Sequence, residues 1–163
     1  MRGIFLFMAL IMLFDAGPAT AHYRPDPAAL GGLKGVFLEV YADCGLESSM
    51  AVLAEGRLKA AGITLASEKD WQSSQDIGQL HLDVIIRCER DEVSCGYSVM
   101  LKLEQHVQLT RGQRTIIRAT TWQNSYTASI SKRDLASLPD LLAVDASTLV
   151  LNFIGDYLIA NPR

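Results

Sequence analysis

The sequence lacks the residue patterns that mark common catalytic and ligand-binding sites. It has no Gly-x-Ser-x-Gly turn to expose a nucleophilic serine, no glycine-rich phosphate loop between a strand and a helix, and no Cys-x-x-Cys pair. Histidine is scarce, with three in the chain. Two of them, His81 and His106, fall on the outward side of predicted strands about 13 Å apart, which is too far to share a metal. The sequence therefore predicts no catalytic residue, metal site or cofactor, and favours a protein that is not an enzyme.

Positive charge is also in short supply. The chain has 15 Lys and Arg against 18 Asp and Glu, a formal net charge of −3, and both signs are scattered along it. A nucleic-acid-binding protein carries a basic patch, so this class is not indicated. Three acids, Glu89, Asp91 and Glu92, cluster between two predicted strands. We interpret them as a solvated hairpin loop, because a catalytic carboxylate pair needs a cleft and a set separation.

The first 21 residues have the pattern of a secretory signal peptide. Arg2 precedes an unbroken apolar run of 12 residues from Gly3 to Phe14, and Ala19-Thr20-Ala21 supplies small residues at the cleavage position. The run is too short to cross a bilayer as a helix, which needs about 20 residues. His22 follows the predicted cut where a lipoprotein would need cysteine. We expect a periplasmic or secreted protein without a lipid anchor or stable membrane insertion.

The remaining 142 residues fit one domain. Residues 22–32 contain Pro25, Pro27 and a Gly31-Gly32 pair and lack hydrophobic periodicity, so they predict a flexible lead-in. Residues 33–163 then form the domain. Its first segment, residues 33–42, combines β-branched and aromatic residues with apolar side chains on both faces, which predicts a central strand.

The rest of the pattern predicts an α+β fold. Apolar residues at helical spacing indicate a helix over residues 46–61 that stops at Gly62. A short strand at residues 63–65 and a polar loop at residues 67–78 follow. Three alternating segments at residues 80–89, 95–109 and 114–127 predict strands, and Ser137 caps a last helix that ends before Pro162. The order β-α-β(short)-β-β-β-α predicts a mainly antiparallel sheet of four to five strands with both helices on one face.

The predicted last helix has its own apolar stripe. Its buried residues are expected to be Leu138, Leu141, Leu142, Ala146, Leu149, Val150, Phe153, Tyr157 and Leu158.

Three cysteines follow the predicted cleavage point, so disulfide formation is the first question in an oxidising compartment. Cys88 ends one predicted strand and Cys95 begins the next, and an antiparallel pairing places them opposite each other on the same face. We predict a Cys88–Cys95 disulfide. The sequence leaves three roles open for Cys44: a buried small residue, a partner in an intermolecular disulfide, or the mate of either other cysteine.

The outward face of the predicted sheet is the candidate docking surface. If residues 111–113 form a three-residue turn, Ile117, Ala119 and Thr121 point inward and Trp122 points outward. This register sets His81, Lys102 and Trp122 in one row, with Met100 in the next and Ile85 and Tyr126 beyond. Grouped aromatic and apolar residues on a polar face are typical of a protein-binding surface. The alternative is that the 67–79 loop or the lead-in covers them.

Several segments resemble a group of small exported bacterial proteins without an assigned function. They are the segment from Leu33 to Leu65, with the helix stop Ala60-Ala61-Gly62-Ile63, the Thr120-Thr121-Trp122 strand and the C-terminal run from Phe153 to Pro162. The order of elements is also similar, in topology alone, to the N-terminal domain of TolB. The absence of site motifs favours a cell-envelope binding or assembly module that binds an envelope protein or another envelope component, and the resemblance to exported proteins agrees with this. The alternative is a small-ligand carrier or an enzyme whose site residues are scattered along the sequence.

Overall fold

The computed structural model describes residues 25–88, 93–109 and 115–162. The predicted signal peptide, the loop acids Glu89, Asp91 and Glu92, and the turn at residues 111–113 lie outside the described residues. The helices and strands, in chain order, are a 3-10 helix Pro27–Leu30, β1 Gly35–Ala42, a 3-10 turn Asp43–Gly45, α1 Glu47–Ala60, α2 Glu68–Ser73, β2 Ile77–Cys88, β3 Ser94–Gln108, β4 Ile116–Ser131, a 3-10 helix Lys132–Ser137 and α3 Leu138–Ala160.

The four strands form one mixed sheet in the order β1-β2-β3-β4. The pair β1 and β2 is parallel because α1 carries the chain back across one face between them, whereas β2, β3 and β4 are joined as antiparallel hairpins. The predicted α+β class is confirmed, with the sheet mixed rather than mainly antiparallel. α1 and α3 pack side by side on one face, where the hydrophobic core lies.

The prediction that β1 is central was wrong, since β1 is at an edge of the sheet. Among the described residues, Val36 alone forms a bridge on the outer side of β1, to Leu65 in the predicted short strand. The backbone N–H of Val36 donates to the Thr64 carbonyl. The apolar residues on both faces of β1 have another cause. Val36 joins the core, while Phe37 on the opposite face packs against Trp71 of α2.

The segment predicted as a polar loop at residues 67–78 contains α2 and the start of β2. Ser67 caps α2, because its hydroxyl accepts from the Asp70 N–H and the Asp70 carboxylate accepts from the Ser67 N–H. This reciprocal cap is visible in the sequence as Ser67-x-x-Asp70, directly before Trp71. The helix was missed because its six residues are too few to show a periodicity.

The helix α1 begins and ends close to its predicted bounds. Its inner stripe of Met50, Ala54 and Leu58 is buried in the core. At its end Gly62 adopts a positive φ of 72°, and the Ile63 N–H donates to the Leu58 carbonyl. A residue with a side chain tolerates this conformation poorly, so Gly62 explains why the helix stops there.

The helix α3 is the longest element, with 23 residues. Seven of the nine residues in its predicted stripe are buried, but Leu141 and Leu158 remain about 40% exposed. By length and composition one helix of the described chain, Lys132–Ala160, could cross a membrane, although 44% of its most apolar stretch is buried inside the protein. A helix that fills the core of a domain meets the same criterion, and α3 lies against β3 and β4.

The predicted flexible lead-in contributes to the core. Leu30 is fully buried. The side chain of Asn161, at the end of α3, forms hydrogen bonds with two residues of this segment. Its amide nitrogen donates to the Leu30 carbonyl and its amide oxygen accepts from the Gly32 N–H, each at 2.9 Å. The domain therefore begins before residue 33. Short-range sequence patterns missed this, because the contact joins residues about 130 positions apart.

Cys88 and Cys95 form the predicted disulfide, with their Cα atoms 4.3 Å apart. They lie opposite each other in the predicted register of β2 and β3, and that register is confirmed from Gln79 to Cys88. Cys44 is a free, exposed thiol in the turn after β1. It is therefore neither buried nor paired within the chain.

The carboxylate of Asp43 extends the contact between β1 and β2 beyond the last paired residues. It accepts a hydrogen bond from the Ile86 N–H at 2.8 Å and from the Arg87 guanidinium at 3.1 Å. The Ile86 hydrogen bond, and to a smaller extent the charge of Arg87, lower the pKa of Asp43 below its ordinary value. This cap fixes the turn that contains Cys44.

Candidate functional site

The predicted exposure of Trp122 was wrong, and the cause is a β-bulge. From Gln108 to Glu104, β3 pairs with β4 in the predicted register, with Val107 opposite Ile117. Beyond that point Leu103 lies opposite Trp122 instead of Thr121, so β4 contains one additional residue. Because side chains alternate between the two faces of a strand, one inserted residue reverses every later position. Trp122 thereby turns into the core and is 1% exposed.

Inside the core, Trp122 has a polar partner. Its indole Nε1 donates to the carboxylate of Asp156 on α3 at 2.9 Å, and its ring packs edge-on against Phe153 at 5.3 Å between centroids. Asp156 is itself buried, at 8% exposed. A buried carboxylate needs a hydrogen-bond partner, so this pair fixes α3 against β4. The apolar stripe of α3 did not indicate a role for Asp156, because Asp156 lies beside that stripe.

The same bulge removes Tyr126 from the predicted docking surface. Tyr126 lies opposite Val99 and packs against the core. Ile117 precedes the bulge and keeps the predicted register, but it is exposed rather than buried. On the outward face, Lys102 is paired with His81 as predicted, but its neighbour on β4 is Gln123. The predicted row therefore keeps His81 and Lys102 and loses Trp122.

Two further predicted members, Met100 and Ile85, stay on the outward face. Both are half-buried. Met100 lies opposite Ser125 of β4, and Ile85 lies opposite Ser98 of β3, which in turn pairs with Thr127 of β4. The surface is more polar than the sequence indicated, because the aromatic residues at that end face the core.

A row of charged and polar side chains crosses the middle of this outward face. His81 Nδ1 lies 3.0 Å from the carboxylate of Glu39 on β1, and His81 Nε2 lies 3.9 Å from the carboxylate of Glu104 on β3. Lys102 Nζ approaches Glu104 at 3.7 Å, and the Gln79 amide donates to Glu39 at 2.9 Å. The imidazole is therefore held between two carboxylates. We call Glu39, His81, Lys102 and Glu104 the charged row.

The helix α2 covers the adjacent end of the outward face. The Trp71 ring stacks between Phe37 and His106, with centroids 6.1 Å and 6.0 Å away, and the Arg118 guanidinium lies 4.2 Å above it. The predicted alternative, that residues 67–79 cover part of this face, describes this end of the sheet. The side chains that α2 contacts, Phe37 and His106, are not members of the predicted docking surface.

Three ring nitrogens on this face are buried without a hydrogen-bond partner. They are Trp71 Nε1, His81 Nε2 and His106 Nδ1. A buried polar atom left unbonded costs about 1–3 kcal/mol, so such atoms indicate a bound water or ligand group. In the described part of the chain, no group of three His, Cys, Asp or Glu side chains could hold a metal ion. The charged row agrees with this, since its carboxylates lie at opposite edges of the His81 ring.

A second unusual surface lies on the side of α3 that faces away from the sheet. The α3 ridge consists of Leu141, Val144, Thr148, Leu151, Gly155 and Leu158, together with Ile159. Its five large apolar side chains are between 39% and 65% exposed. The solvent side of the neighbouring α1 has one such residue, Val52, among the polar Ser48, Glu55 and Lys59. The two helices pack on the same sheet face, yet only α3 exposes an uncharged ridge.

Comparison with known proteins gives distant structural likenesses. No family model matches the sequence, and no curated protein is significantly similar to it. PelC from Paraburkholderia phytofirmans, crystallised as a dodecamer, has 16% sequence identity to this chain and a TM-score of 0.44. The match covers 75% of this chain and 89% of the PelC chain. A minor lipoprotein from Acinetobacter baumannii is 14% identical, with a TM-score of 0.42, over 76% and 90% of the two chains. Rare lipoprotein B from Shewanella oneidensis is 11% identical, with a TM-score of 0.39, over 77% and 96%. These likenesses are too distant to assign a role to the chain.

Proposed function

We propose that this chain is an exported, non-enzymatic binding module of the cell envelope that docks a protein partner on the outward face of its sheet. The signal-peptide pattern of residues 1–21 supports export. The Cys88–Cys95 disulfide agrees with an oxidising compartment such as the periplasm. The proposed docking surface comprises the charged row with Met100 and Ile85.

The observation that carries the proposal is the unbonded Nε2 atom of His81 within the charged row. The charged row offers carboxylate acceptors at Glu39 and Glu104 and a donor at Lys102, and the Nε2 atom of His81 has no hydrogen-bond partner. A buried polar atom normally has a hydrogen-bond partner in the protein or in an ordered water, so this atom offers a bonding position to a docked partner. A protein partner offers both hydrogen-bond donors and hydrogen-bond acceptors. The carboxylates and the ammonium group of the charged row need partners of both kinds. The row carries groups of both charge signs, which argues against a strongly ionic ligand of a single sign.

Site-specific photo-cross-linking in the native envelope tests this proposal. A photoreactive residue at Met100, on the outward face, should cross-link one envelope protein, whereas the same residue at Val52, on the solvent side of α1, should not. Changing His81 to Ala should reduce the Met100 product at least about fivefold without altering the far-UV circular dichroism.

Two results would contradict the docking surface. One is equal cross-linking from both positions, and the other is a Met100 product that does not respond to the His81 substitution. A precursor that keeps residues 1–21 in the mature cell-envelope fraction, seen by mass spectrometry of the N-terminus, would contradict signal-peptide cleavage.

A further inference from the structure

The α3 ridge has the spacing of a helix-packing seam. Its members at positions 141, 144, 148, 151, 155 and 158 are separated alternately by three and four residues, which keeps them on one line along the helix. Of the described residues in this line none is charged, and the fold leaves its large apolar members exposed. An uncovered apolar seam of this length indicates a missing partner element.

We propose that the α3 ridge packs antiparallel against the α3 ridge of a second copy of this chain, around a two-fold axis at the level of Leu149 and Val150. In such an isologous contact, if one residue meets a second position on the partner subunit, that second position on its own chain meets the first on the partner subunit, so every contact occurs twice. The homodimer contact lies on the opposite side of the domain from the outward sheet face, so it is independent of the proposed docking surface.

The ridge is self-complementary about this axis. An antiparallel pair places Leu141 opposite Leu158 of the partner subunit, and Thr148 opposite Leu151 of the partner subunit. Val144, the most exposed residue within the line, meets Gly155 of the partner subunit. A Cβ added at Gly155 would have no atom within 4 Å, so this position leaves a notch on the helix surface. A large residue thus meets the smallest one, which allows two helices to approach closely.

Charge favours a second copy in this orientation. The acids Asp140 and Asp145 lie towards the start of α3, and its last turn has no basic residue. A parallel pair would bring Asp140 next to Asp140 of the partner subunit, whereas the antiparallel pair places it beside the uncharged last turn. Antiparallel helices also oppose their dipoles favourably. A helix that lies on an anionic membrane surface carries Lys and Arg along its flanks, and α3 has none among its residues.

The size of the ridge sets the expected strength. It spans about 27 Å, and with a helix width of about 10 Å the contact covers on the order of 300 Å² per copy. Stable complexes bury about 800 Å² per partner, and contacts below that belong to weak or transient complexes. We therefore expect a weak, concentration-dependent dimer.

Sedimentation equilibrium of the purified protein between about 5 μM and 500 μM tests the dimer. The wild type should shift from monomer to dimer across this range. Val144→Asp should weaken association at least about tenfold, because two carboxylates would be buried in the contact. Val52→Asp is the matched control, since Val52 is similarly exposed on α1, and it should leave the dimer unchanged. A wild type that stays monomeric at the highest concentration overturns the proposal, as does a dimer that Val144→Asp does not weaken.

Cysteine cross-linking in a Cys44→Ser background tests the orientation. A mixture of Leu141→Cys and Leu158→Cys proteins should form a disulfide-linked pair, whereas Leu158→Cys alone should not, because its two copies would lie about 25 Å apart along the helix axis. Cross-linking of Leu158→Cys with itself would overturn the antiparallel arrangement. Binding to phosphatidylglycerol vesicles that Val144→Asp abolishes, with the protein monomeric, would assign the ridge to a lipid surface instead.

Discussion

The two tryptophans of this chain make a matched pair for measuring the buried Trp122–Asp156 hydrogen bond. Both side chains are buried, at 1% exposure for Trp122 and 5% for Trp71. Trp122 Nε1 donates to Asp156, whereas Trp71 Nε1 has no hydrogen-bond partner. Changing each residue to Phe removes the same atoms from a buried aromatic site. Only the Trp122 substitution breaks a hydrogen bond.

The expected magnitudes follow from this difference. Trp122→Phe loses a hydrogen bond to a carboxylate, about 1.5–3 kcal/mol, and some buried volume, about 1 kcal/mol. The unfolding free energy should therefore fall by about 2.5–4 kcal/mol. Trp71→Phe loses the volume but no hydrogen bond, and it removes an unbonded buried donor. Its cost should be about 1 kcal/mol or less.

Urea unfolding followed by far-UV circular dichroism measures both variants with the same signal, which does not depend on tryptophan fluorescence. Asp156→Leu and the double variant Trp122→Phe/Asp156→Leu complete a double-mutant cycle. The two single losses should exceed the loss in the double variant by about 1.5–3 kcal/mol. Equal costs for the two Phe substitutions, or additive losses in the cycle, would refute the inference that this hydrogen bond holds α3 on the sheet.

Three further substitutions test the fold. Because the pKa of Asp43 is lowered in the folded protein, its stabilising effect is present above the ordinary value of 3.8 and is lost as the pH falls through the lower folded pKa. Asp43→Asn should accordingly flatten the loss of stability in acid, and an unchanged acid profile would contradict this role. Replacing Cys88 and Cys95 by Ala and Ser should cost about 2.5 kcal/mol, because the disulfide closes a loop of about eight residues, and a reduced wild type should match the variant. Gly35→Ala should cost about 1–3 kcal/mol in urea unfolding, because its Cβ would lie 2.6 Å from the Thr64 carbonyl oxygen, and a neutral result would show that the edge of β1 can move.

The sequence by itself determined the features that depend on neighbours along the chain. The period of two in β2 and β3, with cysteines at the ends of both strands, predicted the hairpin register and the Cys88–Cys95 disulfide correctly. The apolar stripe and Gly62 predicted the end of α1, and Pro162 predicted the end of α3. These signals are local because helix and strand periods, caps and tight turns involve residues a few positions apart.

Part of the candidate site was also predictable. The alternation of β2 and β3 correctly placed His81, Lys102, Met100 and Ile85 on the outward face. Glu39 and Trp71 were missed as neighbours of that face, because the pairing of β1 with β2 and the position of α2 bring together residues about 40 positions apart.

Only the tertiary structure decided where Trp122 lies. A β-bulge adds one residue to a strand, and Thr121 has no feature that distinguishes it from the threonine before it. The bulge forms because it lets Trp122 bury its ring against Phe153 and bond Asp156, two residues of a helix that is more than 30 positions away. An alternation pattern assumes an uninterrupted strand and assigns the opposite face. The faces of β4 were therefore set by the fit between sheet and helix rather than by the local sequence.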